Sequence, residues 1–117
     1  MELMVWQKAS ELLKETVHDI SSFPSKIGVR QIGDQLFRSV SSISANIAEG
    51  FGKRSRKEFI QACVIARGEI DESRNWYYQC KNLSFLGEEI VKKRDGELII
   101  LRKMLTSLIS HLNKRVQ

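Results

Sequence analysis

The chain has 117 residues, 42% of them hydrophobic and 28% charged, with a formal net charge of +5. These values predict a single soluble globular domain spanning 1–117, large enough for a modest core without metal or disulfide staples. No apolar run approaches the roughly 18 residues of a membrane span, and Met1-Glu2-Leu3-Met4 has neither the basic segment nor the apolar run of a signal peptide. A cytoplasmic protein with no membrane partner is expected.

Four helices are predicted in chain order. The first covers about 3–21, with Trp6, Ala9, Leu13, Thr16, Val17 and Ile20 on its inner side. Phe23-Pro24 ends it, because the residue before proline avoids helical geometry. The second covers about 29–49. The third opens at Ser55-Arg56-Lys57-Glu58, a capping-box pattern in which Ser and Glu can each satisfy a free backbone N–H. It continues through Phe59, Ala62, Ala66, Ile70, Ser73 and Tyr77 to about 83. A turn over 82–87 leads to the fourth helix, whose opening Glu88-Glu89 suits the positive end of the helix dipole. Leu98, Leu101, Leu105, Leu108 and Leu112 alternate steps of three and four along it, a coiled-coil-like seam. No strand-like alternation competes, and the short loops predict an all-α, antiparallel up-down-up-down four-helix bundle.

The second helix is the most informative. At about 100° per residue, Ile32, Leu36, Val40, Ile43 and Ile47 form one apolar stripe. Ser41, Ser44, Ala45 and Ala48 form a face of small side chains, and Gln35, Arg38, Ser39, Ser42, Asn46 and Glu49 form a polar row. Gly50 is expected to close the helix in the left-handed conformation. Asn46 and Glu49 are expected to be partly buried, with Arg38 or Arg67 as the cation for Glu49. Elsewhere, Cys63-Val64-Ile65-Ala66, Trp76-Tyr77-Tyr78 and Leu98-Ile99-Ile100-Leu101 each carry more apolar surface than one inward stripe can bury. A buried Leu or Ile side chain contributes about 1.5–3 kcal/mol, so self-association is expected, against the simpler alternative of harmless exposed apolar residues.

Asn46-Ile47-Ala48-Glu49-Gly50 resembles the signature of four-helix-bundle proteins encoded in intervening sequences of bacterial 23S ribosomal RNA genes. Val5-Trp6-Gln7-Lys8-Ala9, Phe23-Pro24, Asp34-Gln35-Leu36, Ser55 to Phe59 and Ala66-Arg67-Gly68 with Glu72 extend the resemblance over about 6–86. Phe37-Arg38 stands where that family usually has paired arginines, and Glu69 stands where a small Ser is usual. The resemblance implies a homopentameric ring. It also implies kinship with the accessory proteins of diversity-generating retroelements, which work with a reverse transcriptase and nucleic acid.

Chemistry offers few candidates. His18 and His111 lie at opposite ends of the chain with no adjacent thiol or carboxylate relay. Cys63 and Cys80 lack zinc-ligand spacing and read as buried free thiols. Glu49, Glu69, Asp71 and Glu72 lack the Glu-x-x-His pairs of di-metal bundles, and read better as helix-surface acids or as partners of Arg67 and Arg74. No catalytic residue, metal or cofactor is expected. Lys53, Arg54, Arg56 and Lys57 surround the start of the third helix, where the dipole already disfavours cations by about 0.3–1 kcal/mol each. Free backbone N–H groups there suit phosphate, so these four are the candidate nucleic-acid residues, the alternative being a solvated basic turn whose charges salt screens. Lys92, Lys93, Arg102 and Lys103 form a secondary basic patch, with Arg94 beside it. Asn46, Glu49, Gly50 and Arg67 are read as structural. The expected function is a non-enzymatic oligomeric accessory or scaffold protein that binds RNA or DNA. The alternative is a protein-binding structural module.

Overall fold

The computed structural model describes residues 2–53 and 55–116. Its four helices are α1 (Glu2–Ile20), α2 (Ile27–Phe51), α3 (Arg56–Asn82) and α4 (Glu88–Val116). Each packs against its chain neighbour and α1 also packs against α4, which closes an up-down-up-down bundle 50 Å long. Short connections enforce this order, since they leave successive helices side by side and antiparallel.

The α2 stripe and the α4 seam behave as their periodicity predicts. Leu36, Val40, Ile43 and Ile47 are buried, with Ile32 half-buried against the core, and Leu98, Leu101, Leu105, Leu108 and Leu112 are buried as well. On α3 the buried row is Ala62, Cys63, Ala66, Ile70, Ser73, Tyr77 and Cys80. Both cysteines are therefore buried.

The inner face of α1 differs from the expected one. Val5, Ala9, Leu12, Thr16 and Asp19 are buried, whereas Trp6 and Val17 are 38% and 48% exposed. The cause is a buried polar cluster that rotates the helix toward α3 and α4. Tyr77 of α3 donates its hydroxyl to Asp19 Oδ2 at 2.7 Å and lies 2.8 Å from Thr16 Oγ1. Arg94 of α4 grips the same carboxylate through Nε at 2.7 Å and a second guanidinium nitrogen at 3.1 Å. Its remaining N–H groups reach Glu97 at 3.0 Å and Glu15 at 3.2 Å. Burial pushes the Tyr77 phenol far above its ordinary range, so it stays a neutral donor. Asp19 hydrogen bonding raises the Arg94 pKa against the opposing effect of burial. Arg94 is thus a core residue and not part of the basic surface.

Two helix ends also differ. Gly50 lies inside α2 with no positive φ, and the helix runs on to Phe51 with Gly52 as its right-handed cap at φ −81°. What glycine provides at Gly50 is space: a Cβ there would stand 2.6 Å from Phe59 Cδ1 and 3.1 Å from Ala62 Cβ. At the start of α3, Ser55 Oγ accepts the Glu58 N–H at 3.1 Å, as expected of a cap. The Glu58 carboxylate meets the Ser55 hydroxyl at 3.2 Å, so the reciprocal half of the capping box is not made. The end of α3 is a Schellman turn, with Phe85 N–H on Cys80 O at 2.8 Å and Ser84 N–H on Lys81 O at 3.0 Å. It places Ser84 in the left-handed region at φ 64°.

Candidate functional site

The antiparallel topology gathers the end of α2, the start of α3 and the end of α4 at one tip of the bundle. Lys53, Arg56 and Lys57 stand there, and Lys114 lies near the end of α4 at the same tip. Arg54 lies outside the described residues. Lys53 and Lys57 are exposed and Arg56 is half-buried. Lys53 is shared with Glu49 in an i,i+4 ion pair of 3.2 Å between largely exposed groups, a contact that salt screens and that contributes at most about 0.5 kcal/mol. Helix geometry leaves the first N–H groups of α3, those of Arg56 and Lys57, without partners inside the helix. Basic side chains and N–H groups without helical partners therefore share the start of α3, the kind of place where phosphate oxygens bind.

The secondary patch is less available. Arg102 makes two hydrogen bonds to Asp71, at 2.8 and 3.3 Å, which raise its pKa. Lys92, Lys93 and Lys103 remain exposed. Arg74 is held the same way by Asp95, at 2.7 Å and 3.4 Å. From the Arg74–Asp95 pair toward the α3–α4 turn runs an open groove of about 640 Å³, lined by Tyr78, Lys81 and Lys92 among others. Lys81 Nζ sits 5.1 Å above the Tyr78 ring.

The α2 polar row splits. Ser39 is buried and receives the Ser73 hydroxyl at 2.9 Å, while Asn46 is half-buried and donates to Ser42 O at 2.7 Å. Glu49 is exposed and paired with Lys53, so neither Arg38 nor Arg67 is its partner and its expected burial is not found within the chain. Arg67 instead donates to Thr106 Oγ1 at 3.3 Å. Across the α2–α3 seam, Arg38 reaches Glu72 only at 4.0 Å. Glu69 Oε2, Glu72 Oε2 and Trp76 Nε1 are shielded from solvent and have no hydrogen-bond partner. Burial and then the neighbouring Glu72 raise the Glu69 carboxyl above its ordinary range, with Arg38 opposing. Sequence reasoning missed both this seam and the Asp19–Arg94 cluster. The one available signal was the row Val5, Ala9, Leu12, Thr16, Asp19, whose steps of four and three continue an apolar stripe into polar residues.

Among the described residues no group of three or more His, Cys, Asp or Glu side chains is placed to hold a metal ion, and no helix is long and apolar enough to cross a membrane.

Comparison with known proteins agrees with this architecture. No curated protein matches the chain. A solved structure from Bacteroides thetaiotaomicron, described as a protein with unknown function from the S23 ribosomal protein family, superposes with a TM-score of 0.87 at 25% identity, covering 93% of this chain and 97% of its own. The family model described as 23S rRNA-intervening sequence protein matches residues 1–107, and the chain belongs to that family.

Proposed function

We propose that the protein is a non-enzymatic oligomeric scaffold that binds nucleic acid through phosphate contacts at the basic tip of its bundle. The observation that carries this reading is that Lys53, Arg56 and Lys57 stand at the N-terminus of α3, whose first N–H groups have no partner inside the helix. In such a site the interaction is with the backbone and not with base edges, so sequence preference is weak and salt dependence is strong. Oligomerisation is supported by the apolar residues left on the outside of the chain, among them Val64, Ile65, Tyr78 and Ile100. A ring would repeat the tip once per copy, and modest patches on one particle bind a polyanion with avidity. The pentamer, and a reverse transcriptase as protein partner, are proposed from the family resemblance.

The test replaces Lys53, Arg54 and Lys57 with Gln and leaves Ser55 and Glu58 intact, so that the α3 cap is preserved. Fluorescence anisotropy with labelled RNA and DNA should show at least tenfold weaker binding at unchanged helicity. Equal affinity for the triple variant and the wild type would move the site to Lys92, Lys93 and Lys103. No binding by the wild type would leave a protein-binding module as the better account.

A further inference from the structure

The α2–α3 seam holds carboxylates and an indole N–H that the chain itself leaves unanswered. Buried polar atoms almost always have partners, and each exception calls for a specific explanation. Here there are three within one stretch of seam: Glu69 Oε2, Glu72 Oε2 and Trp76 Nε1. Arg38, at 4.0 Å from Glu72, and the neutral Ser39–Ser73 pair are the nearest compensation. Nearer the basic tip, α2 and α3 border an open groove of about 240 Å³ lined by Asn46, Glu49, Lys53, Glu58, Gln61 and the exposed Ile65.

On the opposite flank of α2, helix α1 presents the complementary chemistry. Trp6, Ser10, Lys14 and Val17 follow one another at steps of four, four and three along its outer surface, with Lys14 on the edge nearest α4, where it borders a groove with Glu11 and Glu15. Trp6 and Val17 are, with Met4, the large apolar residues that α1 leaves exposed. Lys14 is exposed and makes no ion pair among the described residues. The heights also agree. Gly33 of α2 faces Ile20 of α1, and Lys14 lies as many residues before Ile20 as Ser39 lies after Gly33, which puts Lys14 level with Ser39. Ser39 bonds to Ser73, the residue between Glu69 and Trp76 on α3. Lys14 therefore sits at the height of the two orphaned carboxylates. In a ring whose axis runs along the bundle, groups of equal height meet.

We infer that α1 of one copy docks along the α2–α3 seam of the next, with Lys14 supplying its ammonium donors to Glu69 and Glu72 and with Trp6 and Val17 covered by the seam. This deepens the oligomeric reading proposed above and rests on it. The contact is heterologous, because two different surfaces of the same chain meet. In a four-cornered bundle the α1 corner and the α2–α3 side are turned about 90–135° from each other around the long axis, the interior angle of closed rings of about four to eight copies.

A heterologous contact has a signature in mixing. Val17→Glu blocks the α1 surface and leaves the seam intact, while Ile65→Glu blocks the seam and leaves α1 intact. Both positions are exposed in the single chain, and circular dichroism establishes that each variant keeps wild-type helicity. By light scattering, each variant alone should fall to the 13.5 kDa of one chain, and an equimolar mixture should form a particle of two chains through the one surviving contact. Lys14→Glu should likewise reduce the mass, and combining it with Glu72→Lys in the same chain should restore the assembly; this pair decides the matter if either glutamate variant unfolds. Variants that keep the wild-type mass, or a mixture that stays at one chain, would overturn the docking and leave oligomerisation standing. A wild-type protein of single-chain mass at micromolar concentration would overturn both.

Discussion

Replacing Arg94 with Met tests the buried polar cluster, the largest feature of the fold that hydrophobic patterning does not explain. The side chain is 3% exposed and makes two hydrogen bonds to a fully buried Asp19 carboxylate. Methionine fills much of the same volume, so the chief loss is electrostatic. Asp19 would keep only the Tyr77 hydroxyl, and it lies in the last turn of α1, where the helix dipole also disfavours a negative charge. Removing one member of a buried ion pair costs about 3–5 kcal/mol. For a domain of this size that corresponds to a fall in Tm of roughly 10–20 °C. Tyr77→Phe removes a single hydrogen bond to a charged acceptor and should cost about 1.5–3 kcal/mol. The double variant Asp19→Leu with Arg94→Met removes both charges together, and more than half of the Arg94→Met loss should return. Urea denaturation read by circular dichroism measures all three. An Arg94→Met loss below about 1 kcal/mol, the range of exposed pairs, would refute the reasoning, as would a double variant that is additive.

Further predictions concern local geometry. Gly50→Ala gains helix propensity of about 1 kcal/mol, but its Cβ would collide with Phe59 Cδ1 at 2.6 Å and crowd Ala62 Cβ at 3.1 Å, so a net loss of about 1–2 kcal/mol is expected in denaturant midpoints. Ser84 occupies the left-handed position of the Schellman turn at φ 64°, and Ser84→Gly should stabilise the fold by about 0.5–1 kcal/mol, seen as a higher Tm. Burial, with a smaller contribution from Asp19, pushes the Cys80 thiol up to about 11. Disulfide-exchange reagents at about pH 8 should therefore label it only after unfolding, because the thiolate is the reactive species.

Long periodic patterns were legible because they depend on neighbours along the chain. The α2 stripe and the α4 leucine seam needed no tertiary information, and the Ser55 cap is set within four residues. The face of α1 was misread because large apolar residues outweighed position. Trp6 and Val17 drew the helix one way, while Thr16 and Asp19 are held the other way by Tyr77 and Arg94, from 58 to 75 residues distant. An arginine that follows two lysines reads as surface, and nothing local reveals that Arg94 meets a carboxylate from another helix. Gly50 shows the same limit in miniature, since a helix-ending glycine and a glycine that makes room for Phe59 look alike in sequence. At the candidate site the basic residues were legible, but their neutralisation was not: Arg102 is taken by Asp71, and Lys53 shares Glu49.

The most direct measurement is the salt dependence of nucleic-acid binding by the wild-type protein. Anisotropy titrations with duplex and single-stranded probes of unrelated sequence, from about 50 to 200 mM salt, give the slope of log K against log salt. Lys53, Arg56 and Lys57 at each tip predict a slope of about −2 to −3 per engaged copy, with little difference between sequences. Absence of binding at about 50 mM salt, or binding whose affinity ignores salt, would contradict the account.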